Sequence, residues 1–337
     1  MLSLQHYIDK TILKNISNFS GFFIKQTAII LFVLLSFTAN SQDTTVTEQK
    51  KTVTLPEVLI RDHFDYKKFI QQIKDDSSFY KAFRNLRILG YTSFNDIKML
   101  DKKGKTKASL NSKTKQVRKD GCRTTEIVEE TTTGDFYNNK HQYNYTTAEM
   151  YASLFFAKGK VCGEDNIVKG KQVNTTDKKG MEKHKEQLKM LFFNPGKKIS
   201  GIPFIGNKLD LYDDNAAKYY DYTIDIVEHL GKTCYTFSIA PKQDLGWLKD
   251  NNIVVDEMIT WFDYNTLEVV ARNYSLSYSA GVYDFNVSME VEIGKFNDLL
   301  VPKTLRYKGD WSVILKKREK AIFTATLFDF TKEDSSK

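Results

Sequence analysis

Histidine and cysteine are scarce in this chain of 337 residues, which holds five His and three Cys. No HExxH and no CxxC occurs, and no two histidines stand close enough in sequence to share a metal, so the common zinc frameworks are excluded. A GxSxG nucleophile elbow is also missing. His184 sits among Lys183, Lys185 and Glu186 and reads as a solvated helix residue, while His229 ends a strand just before Gly231. The stretch 201–208 (GIPFIGNK) fails as a phosphate loop, because Asn207 parts Gly206 from Lys208 and no Ser or Thr follows. Asp210, Asp213 and Asp214 lack the central Gly and terminal Glu of an EF-hand loop and read as a solvated turn. No internal repeat is evident. The expectation is therefore no catalytic residue, no metal and no cofactor. An exported hydrolase stays as an alternative that would need His141, His184 or His229 to meet a nucleophile or metal in a cleft.

Long apolar runs are likewise few, and the one at Thr27–Ala39 (TAIILFVLLSFTA) is too short to span a bilayer, which takes about 20 residues. Lys25 precedes it, and Ala39 and Ser41 take the −3 and −1 places of a signal-peptidase site. The reading is a cleaved secretory leader, residues 1–41, with the cut after Ser41. The periplasm of a bacterium is expected ahead of the extracellular space or the cell surface. No cysteine follows the cut, so a lipid-modified N-terminus is not expected. Residues 42–60 begin with a polar, aperiodic stretch and read as a flexible leader.

The formal charge of +8 falls to +6 once the three Lys and one Asp of residues 1–41 are removed. The lysines are scattered through turns and strand faces, and export removes most polyanionic partners, so no nucleic-acid binding is expected. Cys122 (GCR) and Cys162 (VCG) stand beside glycines near strand ends and are candidates to pair, whereas Cys234 lies inside an apolar strand as a buried thiol.

What the chain has in quantity is alternation. In 283–293 (YDFNVSMEVEI), Tyr283, Phe285, Val287, Met289, Val291 and Ile293 fall on one face and Asp284, Asn286, Ser288, Glu290 and Glu292 on the other. That period of two marks a strand with one dry and one wet face. Leu89, Tyr91, Ser93, Asn95, Ile97 and Met99 alternate in the same way, as do Tyr220, Tyr222, Ile224 and Ile226, then Tyr235, Phe237 and Ile239, and later Tyr274, Leu276 and Tyr278. Asp101–Gly104 reads as a turn, and the Lys-rich Lys105–Arg118 as an exposed or edge strand guarded by charge. Strands are expected over 299–308 and 311–315 with a turn at Gly309-Asp310, and a last one over 321–330.

Helices are expected after Asp65, burying Phe69, Ile70 and Ile73, and after Ser77 or Ser78, burying Tyr80, Phe83 and Leu86. Thr147–Val161 reads as a helical turn followed by a strand, and Met181–Phe193 as a helix ended by Asn194-Pro195-Gly196. Of the twenty-three Phe and eighteen Tyr, many fall on inward strand faces. Set against so few helices, they suggest a concave apolar surface that takes a ligand.

The stretch Tyr235–Lys242 (YTFSIAPK), followed by Met258–Asp263 and Asn265-Thr266-Leu267-Glu268-Val269, resembles the LolA/LolB-like periplasmic lipoprotein carriers. In those, a strand ending in Pro-Lys leads to an aromatic-Asp hairpin, and the order of elements over 65–330 is similar. The resemblance implies a half-barrel: one strongly curved antiparallel sheet, with helices covering the concave face, enclosing a cavity for acyl chains. The expectation is an α+β fold of that kind over 61–331, with a helix-containing insertion around 163–215 that is larger than in the family. The expected function is non-catalytic binding of a lipid or a lipoprotein acyl chain, with a lipid or acylated protein and an outer-membrane component as partners. Leu188 and Phe192 on the covering helix, with Tyr222, Ile224, Tyr235, Phe237, Phe285, Val287 and Met289 on the sheet, are the candidate ligand-binding residues. The alternative is a structural or interaction protein of the envelope with the same fold and a filled core.

Overall fold

Period-two alternation becomes a sheet of eleven strands in the computed structural model, which describes residues 66–168, 190–193, 195–198, 205–246, 252–280, 283–313 and 317–333. The export leader, the 42–60 stretch, Asp65, Leu188 and most of the 181–193 helix lie outside the described residues. The strands are β1 (Gly90–Leu100), β2 (Thr106–Lys119), β3 (Cys122–Thr133), β4 (Val161–Cys162), β5 (Tyr220–His229), β6 (Lys232–Pro241), β7 (Val255–Asp263), β8 (Val269–Ala280), β9 (Tyr283–Phe296), β10 (Leu299–Val313) and β11 (Glu319–Thr331). Their order across the sheet is β4-β3-β2-β1-β11-β10-β9-β8-β7-β6-β5, antiparallel throughout. The order does not close, so this is an open, curved α+β half-barrel, and its two edges are β5 and the short β4 beside β3.

The clearest strands bury one parity along most of their length. In β9, Phe285, Met289, Val291 and Ile293 are buried while Asn286 and Glu290 face solvent. In β1, Tyr91, Ser93, Asn95, Ile97 and Met99 are buried, and Phe94 and Lys98 are exposed. Four helices are described: α1 (Tyr66–Asp75), α2 (Ser78–Asn85), α3 (Thr146–Phe155) and α4 (Asp214–Ala217). Phe69 and Ile73, one turn apart on α1, are buried, and the Phe69 ring packs 5.4 Å from Tyr235 on β6 and 5.9 Å from Phe262 on β7. On α2 the buried positions are Phe79, Ala82, Phe83 and Asn85, and Tyr80 is only half-buried, so Phe79 replaces Tyr80 on the expected inner face. Ser77 holds the N-cap position of α2 without a side-chain cap bond, and Asp76 Oδ1 instead accepts from Ser78 N at 2.9 Å.

Two strand expectations are corrected. Lys105–Arg118 is not an edge, because β2 lies between β1 and β3 and sends Ala108, Leu110, Ser112, Thr114 and Gln116 into the core. Its lysines point outward all the same, and the charged guard falls on β3, where Glu126 and Glu129 are exposed. Gly309-Asp310 is not a turn, since β10 runs through it without a break. A side chain at 309 would collide with the Tyr307 ring, which lies over that position. Glycine is there to let an aromatic ring lie flat along the strand rather than to reverse the chain.

Cys122 and Cys162 form a disulfide that fastens β4 to β3, and they face each other as register partners. Cys234 is a buried free thiol on the outer face beside Trp261, and burial pushes its pKa up to about 11.

Candidate functional site

The inward residues of neighbouring strands line up in transverse rows, and three of these rows build the floor of a cavity. Tyr274, Met289, Tyr307 and Phe323 are successive register partners from β8 to β11. The next row is Leu276, Val287, Gly309 and Ala321, and the next Tyr278, Phe285, Trp311 and Glu319. The middle row shrinks to Gly309 and Ala321 between two rows of large side chains. The Tyr307 ring tips over Gly309 and stacks on Phe323, with centroids 4.5 Å apart and planes 15° from parallel.

The roof comes from α3, through Thr147, Met150, Tyr151 and Leu154, and from the helical residues 190–193, through Leu191 and Phe192. The space measures about 50 Å³. A single buried water needs roughly 10–15 Å³ on a comparable scale, so the space accepts a few small groups and not yet a full acyl chain. The lining is almost wholly apolar, with Thr147, Ser288 and Ser312 and the three tyrosines as its only hydroxyl bearers. It offers no carboxylate, imidazole, amine or thiol, so no acid–base pair faces the space.

Several hydrogen bonds fix the roof to the floor, and one carboxylate makes three of them. Glu319, buried at the start of β11, accepts from Thr146 N at 2.8 Å through Oε1, and from Thr147 N at 2.8 Å and Thr147 Oγ1 at 2.6 Å through Oε2. It caps the N-terminus of α3 from another strand, where the helix dipole favours a negative charge. Trp311 Nε1 donates to the same Thr147 hydroxyl at 2.8 Å. Further along α3, the Tyr151 hydroxyl donates to Asn95 Oδ1 at 2.6 Å, inside a buried polar group with Ser93, Ser112 and Thr114. Tyr274 OH donates to Phe192 O at 2.9 Å and ties the second roof piece to β8. Burial pushes the Tyr151, Tyr274 and Tyr307 phenols well above the ordinary tyrosine range, so all three stay neutral donors.

Of the sequence-derived candidates, Phe192, Phe285, Val287 and Met289 line this space. Tyr222, Ile224, Tyr235 and Phe237 lie elsewhere, on β5 and β6, where α1 and the residues 205–212 cover the sheet. Phe237 is 1 % exposed beneath the Tyr222 ring, and Tyr222 OH donates to Leu211 O at 2.5 Å. Tyr235 is held between Phe69 and Tyr264, and Ile224 packs half-buried at the edge of the same core.

Sequence reading passed over two contributors. Trp311 and Glu319 were hidden by the expected turn at Gly309-Asp310 and by starting the last strand at Ala321. Among the described residues no group of metal ligands occurs, and no helix is long and apolar enough to cross a membrane. His141 is exposed beside Tyr137, and His229 stacks on Trp261 at 4.3 Å, so neither reaches the cavity.

No protein-family profile matches the chain, and no curated protein matches it. Solved structures similar to it include a DUF1329 family protein from Desulfovibrio piger, 11 % identical, covering 77 % of this chain and 95 % of that one at a TM-score of 0.24. Another is a domain described as an outer membrane lipoprotein-sorting protein from Vibrio parahaemolyticus, 9 % identical, covering 78 % and 95 % at a TM-score of 0.26. A third, on lipid–protein interactions in lipovitellin, is 8 % identical and covers 74 % of this chain and 25 % of that one at a TM-score of 0.25. The second bears a description of the same kind as the carriers that Tyr235–Val269 resembles. Superpositions this loose carry no functional argument, which rests instead on the cavity itself.

Proposed function

We propose that this protein binds an apolar ligand, a lipid or the acyl chain of a lipoprotein, on the concave face of its sheet, without catalysis and in the bacterial envelope. The observation that supports this reading is an apolar space between an aromatic sheet floor and a helical roof tied down in part by the buried Glu319 carboxylate. Each methylene drawn out of water into such a lining contributes about 0.8 kcal/mol, which suffices for binding with no polar contact. At about 50 Å³ the space is too small for a full acyl chain, so entry of one requires α3 to lift from β10 and β11. The apolar run Thr27–Ala39, with Ala39 and Ser41 at signal-peptidase spacing, supports the envelope location, and Phe192, Phe285, Val287 and Met289 are the contacts proposed for the ligand.

Native mass spectrometry of the full chain, gently purified and then incubated with phosphatidylglycerol or palmitic acid, tests this. A lipid adduct, weakened by Val287→Trp, is the expected result. Bare protein ions under all conditions would overturn the reading.

A second reading, an envelope structural or interaction protein with a filled core, is favoured by the small volume of the space. It predicts that hydrogen exchange of α3 is as slow as that of β10 and is unchanged by added lipid.

A further inference from the structure

One buried hydroxyl in the cavity lining is left without a task in the frame. Thr147 commits its hydroxyl to Glu319, Tyr151 to Asn95 Oδ1 and Tyr274 to Phe192 O. Ser288 and Ser312 are half-buried and stand on the outward parity of β9 and β10. Tyr307 differs from all of these. It is 4 % exposed and lines the space, yet its hydroxyl has no hydrogen-bond partner among the described residues. A buried donor without an acceptor is costly and rare in a native fold.

Packing fixes where that hydroxyl sits. The Tyr307 ring stacks on Phe323 and lies 5.3 Å from the Phe192 ring of the roof, so it is held from two sides. Its oxygen rests over Gly309, in the row that narrows to Gly309 and Ala321, and a side chain at 309 would take its place. Rotation about the C–O bond is the freedom that remains, and it turns the O–H towards an acceptor under α3. Charge narrows the kind of acceptor. Asp310 and Glu319 both act on the phenol electrostatically. Asp310 is paired with Arg318 and Lys320, whereas Glu319 is held by two amides and a hydroxyl, with no cation in ion-pair distance among the described residues. The lining holds no amine or guanidinium either, so a carboxylate brought here would be desolvated beside a like charge. We infer that Tyr307 is a specificity-determining contact for an uncharged acyl ester, its hydroxyl donating to the ester carbonyl oxygen while the chain lies along the aromatic floor. The inference rests on the proposed binding of apolar chains and adds the chemical class of the polar end.

The test is displacement of the fluorescent probe 1-N-phenylnaphthylamine from the full chain at pH 8 by methyl decanoate, decanoate and dodecane. The quantity read is the ester-to-hydrocarbon affinity ratio, because the two ligands leave water with different ease. Tyr307→Phe keeps the ring and removes only the oxygen, and it is expected to lower that ratio about threefold to tenfold, as one neutral hydrogen bond allows. The infrared carbonyl band of bound methyl decanoate, labelled with carbon-13 at the carbonyl, should lie below its position in hexane and return towards it in Tyr307→Phe. A ratio unchanged within about twofold, a band unmoved by the substitution, or an acid bound more tightly than the ester refutes the contact while chain binding stands. If the probe stays unbound, or none of the three ligands displaces it, the proposed function falls and the contact with it. Should Tyr307→Phe fail to fold, the band in the wild type decides: at the hexane position it overturns the inference, and below it supports it. Acyl esters occur both in neutral glycerolipids and on acylated proteins. Monoolein and a diacylated lipopeptide, run as competitors on both proteins, separate these sources: weaker competition in Tyr307→Phe by either supports the contact, and by neither overturns it.

Discussion

Replacing Glu319 with Ala takes away the acceptor of three hydrogen bonds at once and leaves two backbone N–H groups and a threonine hydroxyl at the N-terminus of α3 without it. A hydrogen bond to a charged group contributes roughly 1.5–3 kcal/mol, and loss of an N-cap costs about 0.5–2 kcal/mol. The three do not add, because desolvating the carboxylate already offsets part of their worth and the freed Thr147 hydroxyl keeps its bond from Trp311. The expected loss is therefore about 2–4 kcal/mol, a large share of the roughly 5–15 kcal/mol that holds a typical domain together. Glu319→Gln keeps the shape and one good acceptor but sets an NH₂ against a backbone N–H, and should cost about half as much. Urea unfolding followed by circular dichroism gives the free energies, and hydrogen exchange resolved to α3 locates the effect. Glu319→Ala should speed exchange at residues 146–155 more than in β2. A Glu319→Ala protein within about 0.5 kcal/mol of wild type, with α3 exchange unchanged, would refute the idea that this carboxylate fixes the roof.

Gly309→Ala sets a Cβ against the Tyr307 ring, and overpacking of this sort should cost about 1–3 kcal/mol; thermal melts should show the loss shrinking in a Tyr307→Ala background. Cys122→Ser with Cys162→Ser opens a bridge of sequence separation 40, and in the chain-entropy model this lowers stability by about 4 kcal/mol. Denaturant titration with and without reductant measures it, and equal midpoints would show that β4 contributes nothing. The Asp263 carboxyl is held below the usual carboxylate range, first by the Thr266 backbone N–H and also by the Asn265 backbone N–H. A folded pKa below the unfolded one gives stability that is present above about pH 4 and lost as pH falls through the folded value. The stability gap between wild type and Asp263→Asn should accordingly narrow from pH 7 to pH 3 in urea titrations, and a gap that widens would show the sign to be wrong.

The sheet was readable because its rule is local. Phe285 to Ile293 and Leu89 to Met99 each declare a dry face within a dozen residues, and antiparallel neighbours need only short turns to find each other. The cavity was not, because its position depends on which strands each helix covers. Phe192 and Met289 lie nearly a hundred residues apart in sequence, and nothing in β5 or β6 told that α1 would fill the space over Tyr235 and Phe237. Gly309 misled for a definite reason. A glycine before an aspartate has the composition of a turn, and only the cross-strand partners of Tyr307 explain why β10 needs it inside a strand. Glu319 and Thr147 meet across 172 residues, a pairing that no spacing rule anticipates.

Strand order carries one more consequence, for synthesis. β11 is the last of the eleven strands to be made, yet it lies in the middle of the sheet, paired with β1 on one side and β10 on the other. Until it emerges, β1–β4 and β5–β10 are two separate meanders, each with a long open edge that invites the wrong partner. β11 is the keystone that joins them, and the long sequence separation of the β1–β11 pairing makes this closing step a slow one. The nascent chain thus spends its growth as two half-sheets, and a chain cut short before Glu319 would remain so, exposed to aggregation along both unpaired edges.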